Sequence, residues 1–149
     1  VLQYIKSLLL QEILMKLKIG YEELIARAMG EIETLTLEQA EQLLNDSNTV
    51  FVDIRDVREL EREGMIPNAF HAPRGMLEFW VDPDSPYFKP IFGEGKRIVL
   101  YCASAWRSSL STQTLQNMGL SDVCHLEGGF SAWKKAGLPV QEKSAKPQS

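Results

Sequence analysis

Between Arg97 and Gly119 the chain passes from a β-leaning apolar run, through a loop of small residues, into a helix-like stretch. A strand that feeds straight into a helix has the form of the first half of a crossover unit, the connection that parallel strands require. The same alternation recurs along the chain. Short apolar runs at 50–54, 69–72 and 123–126 read as buried strands. Helical patterns occupy 21–28, 36–44, 56–60, 76–80 and 130–135, and the helix after the 97–101 strand runs to about Met118 and stops at Gly119. Thr36 followed by Gln39 has the form of a capping box, and Asp56 can cap the next helix. Segment 82–95 holds three prolines and two glycines, which reads as a surface excursion with no regular element. The class is α/β with a mainly parallel sheet.

In such sheets ligands sit beyond the carboxyl ends of the strands. Cys102 follows the 98–101 strand and Asp53 ends the 50–54 strand, so both belong on that edge. A helix N-terminus and a nearby arginine favour the thiolate of a cysteine, the form that acts as a nucleophile. Loop amides and a guanidinium also hold an anionic group close to the sulfur. The loop Cys102-Ala103-Ser104-Ala105-Trp106-Arg107-Ser108 therefore combines a nucleophile with an anion cradle. Cys124, inside an apolar run, reads as a small buried hydrophobe.

Composition narrows the partners. The net charge of −4, from 16 basic and 20 acidic residues, argues against a nucleic-acid surface. Two cysteines cannot build a disulfide framework, and a reactive Cys102 suits a reducing, cytoplasmic compartment. His71 and His125 are far apart, in no metal-ligand spacing, so no metal is expected. Residues 1–17 are apolar at nearly helical spacing (Leu2, Ile5, Leu9, Ile13, Leu17) but are interrupted by Lys6, Gln11, Glu12 and Lys16. That pattern falls short of a membrane span or a signal peptide. Lys6, Lys16 and Lys18 add only a weak basic face, which disfavours a membrane-surface role, and two readings stand for the segment. One is a helix packed on the domain or on a second copy or partner protein; the other makes Met15 the natural start and the preceding residues non-native.

The cysteine loop, the strand end Asp53-x-Arg55 and the run Leu126-Glu127-Gly128-Gly129-Phe130-Ser131-Ala132-Trp133 together resemble the rhodanese-like (sulfurtransferase) family. The resemblance implies a rhodanese-like fold, a five-stranded, mainly parallel sheet flanked by helices. It divides the chain into an N-terminal helical extension (1–33), the domain (34–140) and a flexible tail (141–149). It also implies that Cys102 takes a sulfane sulfur as a persulfide and passes it on, in ping-pong order. The backbone of Ala103, Ser104, Ala105, Trp106 and Ser108 would surround that sulfur, and Arg107 would bind the anionic part of the donor. The donor would be thiosulfate or a small persulfide, the acceptor a thiol or cyanide-like nucleophile, and no cofactor would be required. Two departures stand out. Gly64-Met65-Ile66-Pro67-Asn68-Ala69 carries Met65 where the family often has histidine, and Trp106 adds bulk beside Arg107.

Other residues have plainer readings. Arg74 is a second cation for the pocket or an exposed helix-start arginine. Asp53 and Arg55 brace the sheet edge, while Arg107 could also pair with Asp53 or Glu127. His71 and His125 are packed histidines, neither placed by sequence as a general base. Gly128-Gly129 permits a tight turn, with Phe130 and Trp133 anchoring the last helix. Two rival functions remain: a persulfide-carrying or docking module, and a cysteine phosphatase or arsenate reductase. The latter usually places five residues between cysteine and arginine, against four here, and no general acid is identifiable.

Overall fold

The computed structural model describes the backbone of residues 1–143 and the side chains of all of these but 12–15. Two helices lead, α1 (Leu2–Met15) and α2 (Tyr21–Glu31), followed by β1 (Glu33–Leu35), α3 (Leu37–Gln42), β2 (Thr49–Asp53), α4 (Val57–Glu63) and β3 (Phe70–His71). A 3-10 turn (Arg74–Met76) enters α5 (Leu77–Val81); β4 (Arg97–Tyr101), α6 (Trp106–Asn117), β5 (Val123–Leu126) and α7 (Gly129–Lys135) complete the order. The strands form one sheet in the order β1-β5-β4-β2-β3, every neighbouring pair parallel.

Alternation along the strands divides the core between the two faces of the sheet. Val50, Val52, Ile98, Leu100 and Cys102 share one face with Leu77, Phe92 and Leu115. Phe51, Val99, Tyr101, Cys124 and Leu126 lie on the other with Ile66, Phe130 and Trp133. The two cysteines therefore point to opposite sides of the sheet. Both helix starts read from the sequence are complete capping boxes: Thr36 with Gln39, and Asp56 with Glu59.

Four local readings change. Strand β1 is too short to show a period, and it exists because Glu33 to Leu35 pair in register with Cys124 to Leu126. Segment 82–95 contains a 3-10 turn (Pro90–Gly93), and Phe92 there is buried with Phe88 and Ile91 packed beside it, so the excursion closes the core. Helix α6 begins at Trp106 and so takes Arg107 into its first turn. The tail's first residue is pinned, since Gln141 and Met65 exchange backbone hydrogen bonds of 2.8 and 2.9 Å. Residues 144–149 of that tail lie outside the described residues. Helix α1 leaves Leu2, Tyr4, Ile5, Leu8, Leu9 and Leu10 exposed. Among the described residues no helix is long and apolar enough to cross a membrane.

Candidate active site

The N-cap of α6 is Ala105, in the left-handed region at φ 73°, with no side-chain oxygen to offer the helix. The first amides of a helix have no partner within it. One of them, Ser108 N–H, donates to Cys102 Sγ at 3.3 Å, so the sulfur takes the place of a capping side chain. This position at the positive end of α6 is where an anionic sulfur gains most from the helix dipole. Cys102 is only 1% exposed. Reagents must reach it across the loop.

The loop is held from beneath by α7. The amides of Phe130 and Ser131 donate to the carbonyls of Cys102 and Ala103 at 2.8 and 3.0 Å. Gly129, at φ 66°, makes that approach feasible, because a Cβ there would lie 2.6 Å from the Ala103 carbonyl oxygen. The glycine pair in the sequence is thus part of the site's scaffold as well as a turn. On the outer side Ser104 and Trp106 are exposed.

Arg107 closes the loop with an internal partner, which is neither Asp53 nor Glu127. Its two terminal nitrogens donate to the two oxygens of Glu59, at 2.9 and 3.0 Å. Glu59 raises the guanidinium pKa while burial opposes it, and the nearby Cys102 sulfur adds to the increase. In turn Arg107 lowers the Glu59 carboxyl. Glu59 also accepts from the Asp56 amide, so one carboxylate caps α4 and ties it to α6. The D-x-x-E spacing of the capping box was the sequence signal for this residue. Its second role needed the fold.

Asp53 and Arg55 form a separate, fully buried pair. Arg55 donates to Asp53 at 2.7 Å and to the Gly64 carbonyl at 2.7 Å, and lies 4.3 Å over the Phe130 ring. Burial opposes the Arg55 charge, but Asp53 outweighs it and the guanidinium is held above its ordinary range. This pair joins β2 to the turn after α4, at the base of the site. Arg74 is exposed and lines a cleft of about 300 Å³ with Glu78, Ser111 and Thr114, whose walls do not include Cys102. His71 donates through Nε2 to the Arg55 carbonyl at 2.7 Å.

One residue gains importance beyond its packed-histidine reading. His125 is fully buried under α6, with Nδ1 3.1 Å from Ser108 Oγ and Nε2 2.9 Å from Thr34 Oγ1. A neutral ring satisfies both hydroxyls in either tautomer, since Ser108 also reaches the Ala105 carbonyl at 3.3 Å. Burial pushes its pKa down to about 4. The period-two alternation of Val123 to Leu126 puts His125 on the α6 face, and that was the available signal. Among the described residues no cluster of potential ligands could hold a metal ion.

The fold and site define an α/β protein with a cysteine set at the amino end of a helix on the carboxyl edge of a parallel sheet. Residues 36–136 match the Rhodanese-like domain model, and the chain belongs to the rhodanese-like family. It is 36% identical over 113 residues to an uncharacterised protein of Synechocystis, with 75% of this chain and 58% of that protein covered. The chain thus spans a little over half the length of that relative. A sulfurtransferase of Allochromatium vinosum is 30% identical over 112 residues, covering 75% of this chain and 94% of that one. A solved structure from Rhodopseudomonas palustris, described as a protein of unknown function and possible tyrosine phosphatase, is 50% identical with a TM-score of 0.82. That match covers 85% of this chain and 98% of the other. Family and sulfurtransferase relative support a sulfurtransferase-type role.

Proposed function

We propose that the protein moves a sulfane sulfur from thiosulfate or a low-molecular-weight persulfide to a thiophilic acceptor through a persulfide on Cys102. The observation that carries this reading is the Ser108 amide, 3.3 Å from Cys102 Sγ at the start of α6. The Cys102 thiolate attacks the outer sulfur of the donor, the donor's S–S bond breaks, and the leaving group departs with the electron pair. The helix terminus and the Ser108 amide stabilise the negative sulfur before and after transfer. An acceptor thiolate or cyanide then takes the outer sulfur and the Cys102 thiolate is regenerated, giving ping-pong turnover. No step calls for a metal or organic cofactor. Both cysteines are free, which suits a reducing compartment such as the cytoplasm. The exposed apolar side chains of α1 offer a contact for a second copy or a partner protein.

Intact-mass spectrometry after brief exposure to thiosulfate and, separately, to glutathione persulfide tests the reading. The expected result is a gain of one sulfur that cyanide removes and Cys102→Ser abolishes. No gain with either donor would overturn it and leave a docking module. The description of the Rhodopseudomonas structure favours a second reading, a cysteine phosphatase. Four residues between Cys102 and Arg107 enclose less space than the five usual in that chemistry, and Glu59 already occupies the arginine. Cys102-dependent hydrolysis of p-nitrophenyl phosphate without persulfide formation would establish the phosphatase instead.

A further inference from the structure

The outer rim of the site is aromatic. Trp106 stands between Ala105 and Arg107 and is 54% exposed; its ring centroid is 5.0 Å from that of Tyr21, itself 53% exposed. Tyr21 opens α2, outside the 36–136 stretch that matches the family. At the other end of α2, Gln113 donates to the Glu31 carboxylate and Gln116 to the Glu31 carbonyl, both at 2.9 Å. Helix α2 is thereby fastened along α6, with its Tyr21 end beside the cysteine loop. Two half-exposed rings in contact leave apolar surface open to whatever crosses the loop toward the buried sulfur.

The charges of the rim are equally specific. The Arg107 guanidinium is taken up by both oxygens of Glu59, so a small dianion finds its charge already balanced. Glu22 and Glu23 follow Tyr21 in the first turn of α2, and Glu23 pairs with Arg27 at 2.9 Å. A doubly charged inorganic donor gains little here. A singly charged donor with an apolar substituent gains the ring surface.

Building on the sulfurtransferase reading, we propose that the rim selects an organic sulfane-sulfur donor carrying an apolar group of aromatic size, with Trp106 and Tyr21 as the specificity-determining residues. Two synthetic monoanions isolate the substituent: methanethiosulfonate and benzenethiosulfonate, with thiosulfate as the dianion and cyanide as common acceptor. In each case the Cys102 thiolate attacks the terminal sulfur and its bond to the oxidised sulfur breaks. Sulfinate (or sulfite) leaves with the electron pair, and cyanide departs with the outer sulfur as thiocyanate.

The measurement is the ratio of kcat/KM for the two thiosulfonates, divided by the ratio of their rates with a free thiol. The expected corrected ratio favours the benzene compound by about tenfold, the scale set by one apolar group in a pocket. Tyr21→Leu and Trp106→Ala should bring it near unity, and Tyr21→Phe should keep it. Thermal melts and the ratio together separate selection from packing: a packing role lowers Tm and leaves the ratio unmoved. A wild-type ratio near unity, or a ratio that Tyr21→Leu leaves unchanged, overturns the proposal while the sulfurtransferase reading stands. Absence of Cys102-dependent turnover with all three donors overturns the proposal, and the sulfurtransferase reading falls with it only when glutathione persulfide also adds no sulfur to Cys102.

Discussion

Arg107 and Glu59 meet through both guanidinium nitrogens and both carboxylate oxygens, joining the first turn of α6 to the first turn of α4. The two elements follow adjacent strands of the sheet, β4 and β2, so the pair spans the site's edge and sets the outer limit of the cysteine loop. A cation that the loop sequence offers to substrate is, in the folded chain, shared with a carboxylate.

Glu59→Gln separates these roles, because glutamine can still complete the capping box with Asp56. The pair is partly exposed, so the expected loss of stability is only about 1 kcal/mol. With Arg107 freed, KM for thiosulfate should fall. A rise would mean that Arg107 needs Glu59 to hold its position. The Glu59 pKa is depressed in the fold, so its stabilising contribution is complete above the ordinary carboxylate range and is lost as pH falls through the lowered value.

His125 predicts an acid-sensitive window. Its folded pKa of about 4 lies below the ordinary 6.5, so between these values the unfolded chain binds the extra proton. Stability should therefore decline as pH falls from 6.5 and level off near 4, by roughly 3 kcal/mol in all. Urea denaturation at several pH values in this range measures it. His125→Asn should flatten that limb; an unchanged limb would assign it to other groups.

Gly129→Ala should damage the site more than an ordinary left-handed glycine substitution. Gly137, at φ 76° with open space around its Cβ position, supplies the comparison. Its alanine variant should cost about 1–2 kcal/mol from backbone strain alone. At Gly129 the new methyl also meets the Ala103 and Cys102 carbonyls, so the expected loss exceeds about 3 kcal/mol. Sulfur transfer should fall with it. Equal effects of the two substitutions would deny α7 its role in holding the loop.

Removing the Asp53 carboxylate leaves a buried arginine without its main partner. Asp53→Ala should cost about 3–5 kcal/mol, measured by chemical denaturation. A loss below about 1 kcal/mol would mean that the Glu63 carboxylate, the Gly64 carbonyl and the Phe130 ring suffice to hold Arg55.

Thiol labelling distinguishes the two cysteines. Cys124 is fully buried, and burial pushes its pKa up to about 11. At neutral pH the folded Cys102→Ser variant should resist iodoacetamide, and the wild-type protein should take one label. Two labels would show that β5 opens to solvent.

Much of this architecture is written locally. The 97–119 unit, the Thr36 and Asp56 caps and the alternation of strands with helices sufficed to define a parallel α/β sheet with Cys102 at its functional edge, because period and capping depend on residues close in the chain. Strand β1, three residues long, needed β5 beside it to be a strand. The inward turn of Phe92 likewise depends on a core built with β2, α5, β4, α6 and β5.

The site's chemistry is shared differently. The residue types of the loop determine that a cysteine meets a helix terminus and that an arginine closes the loop. Only the tertiary structure decided that Glu59 takes up Arg107, that His125 stands under Ser108, that Gly129 admits the loop carbonyls and that Tyr21 lies on Trp106. Each of those partners comes from a different element, brought near by sheet order and helix packing. Their charge and hydrogen-bonding act over a few ångströms in space, whatever their separation in sequence.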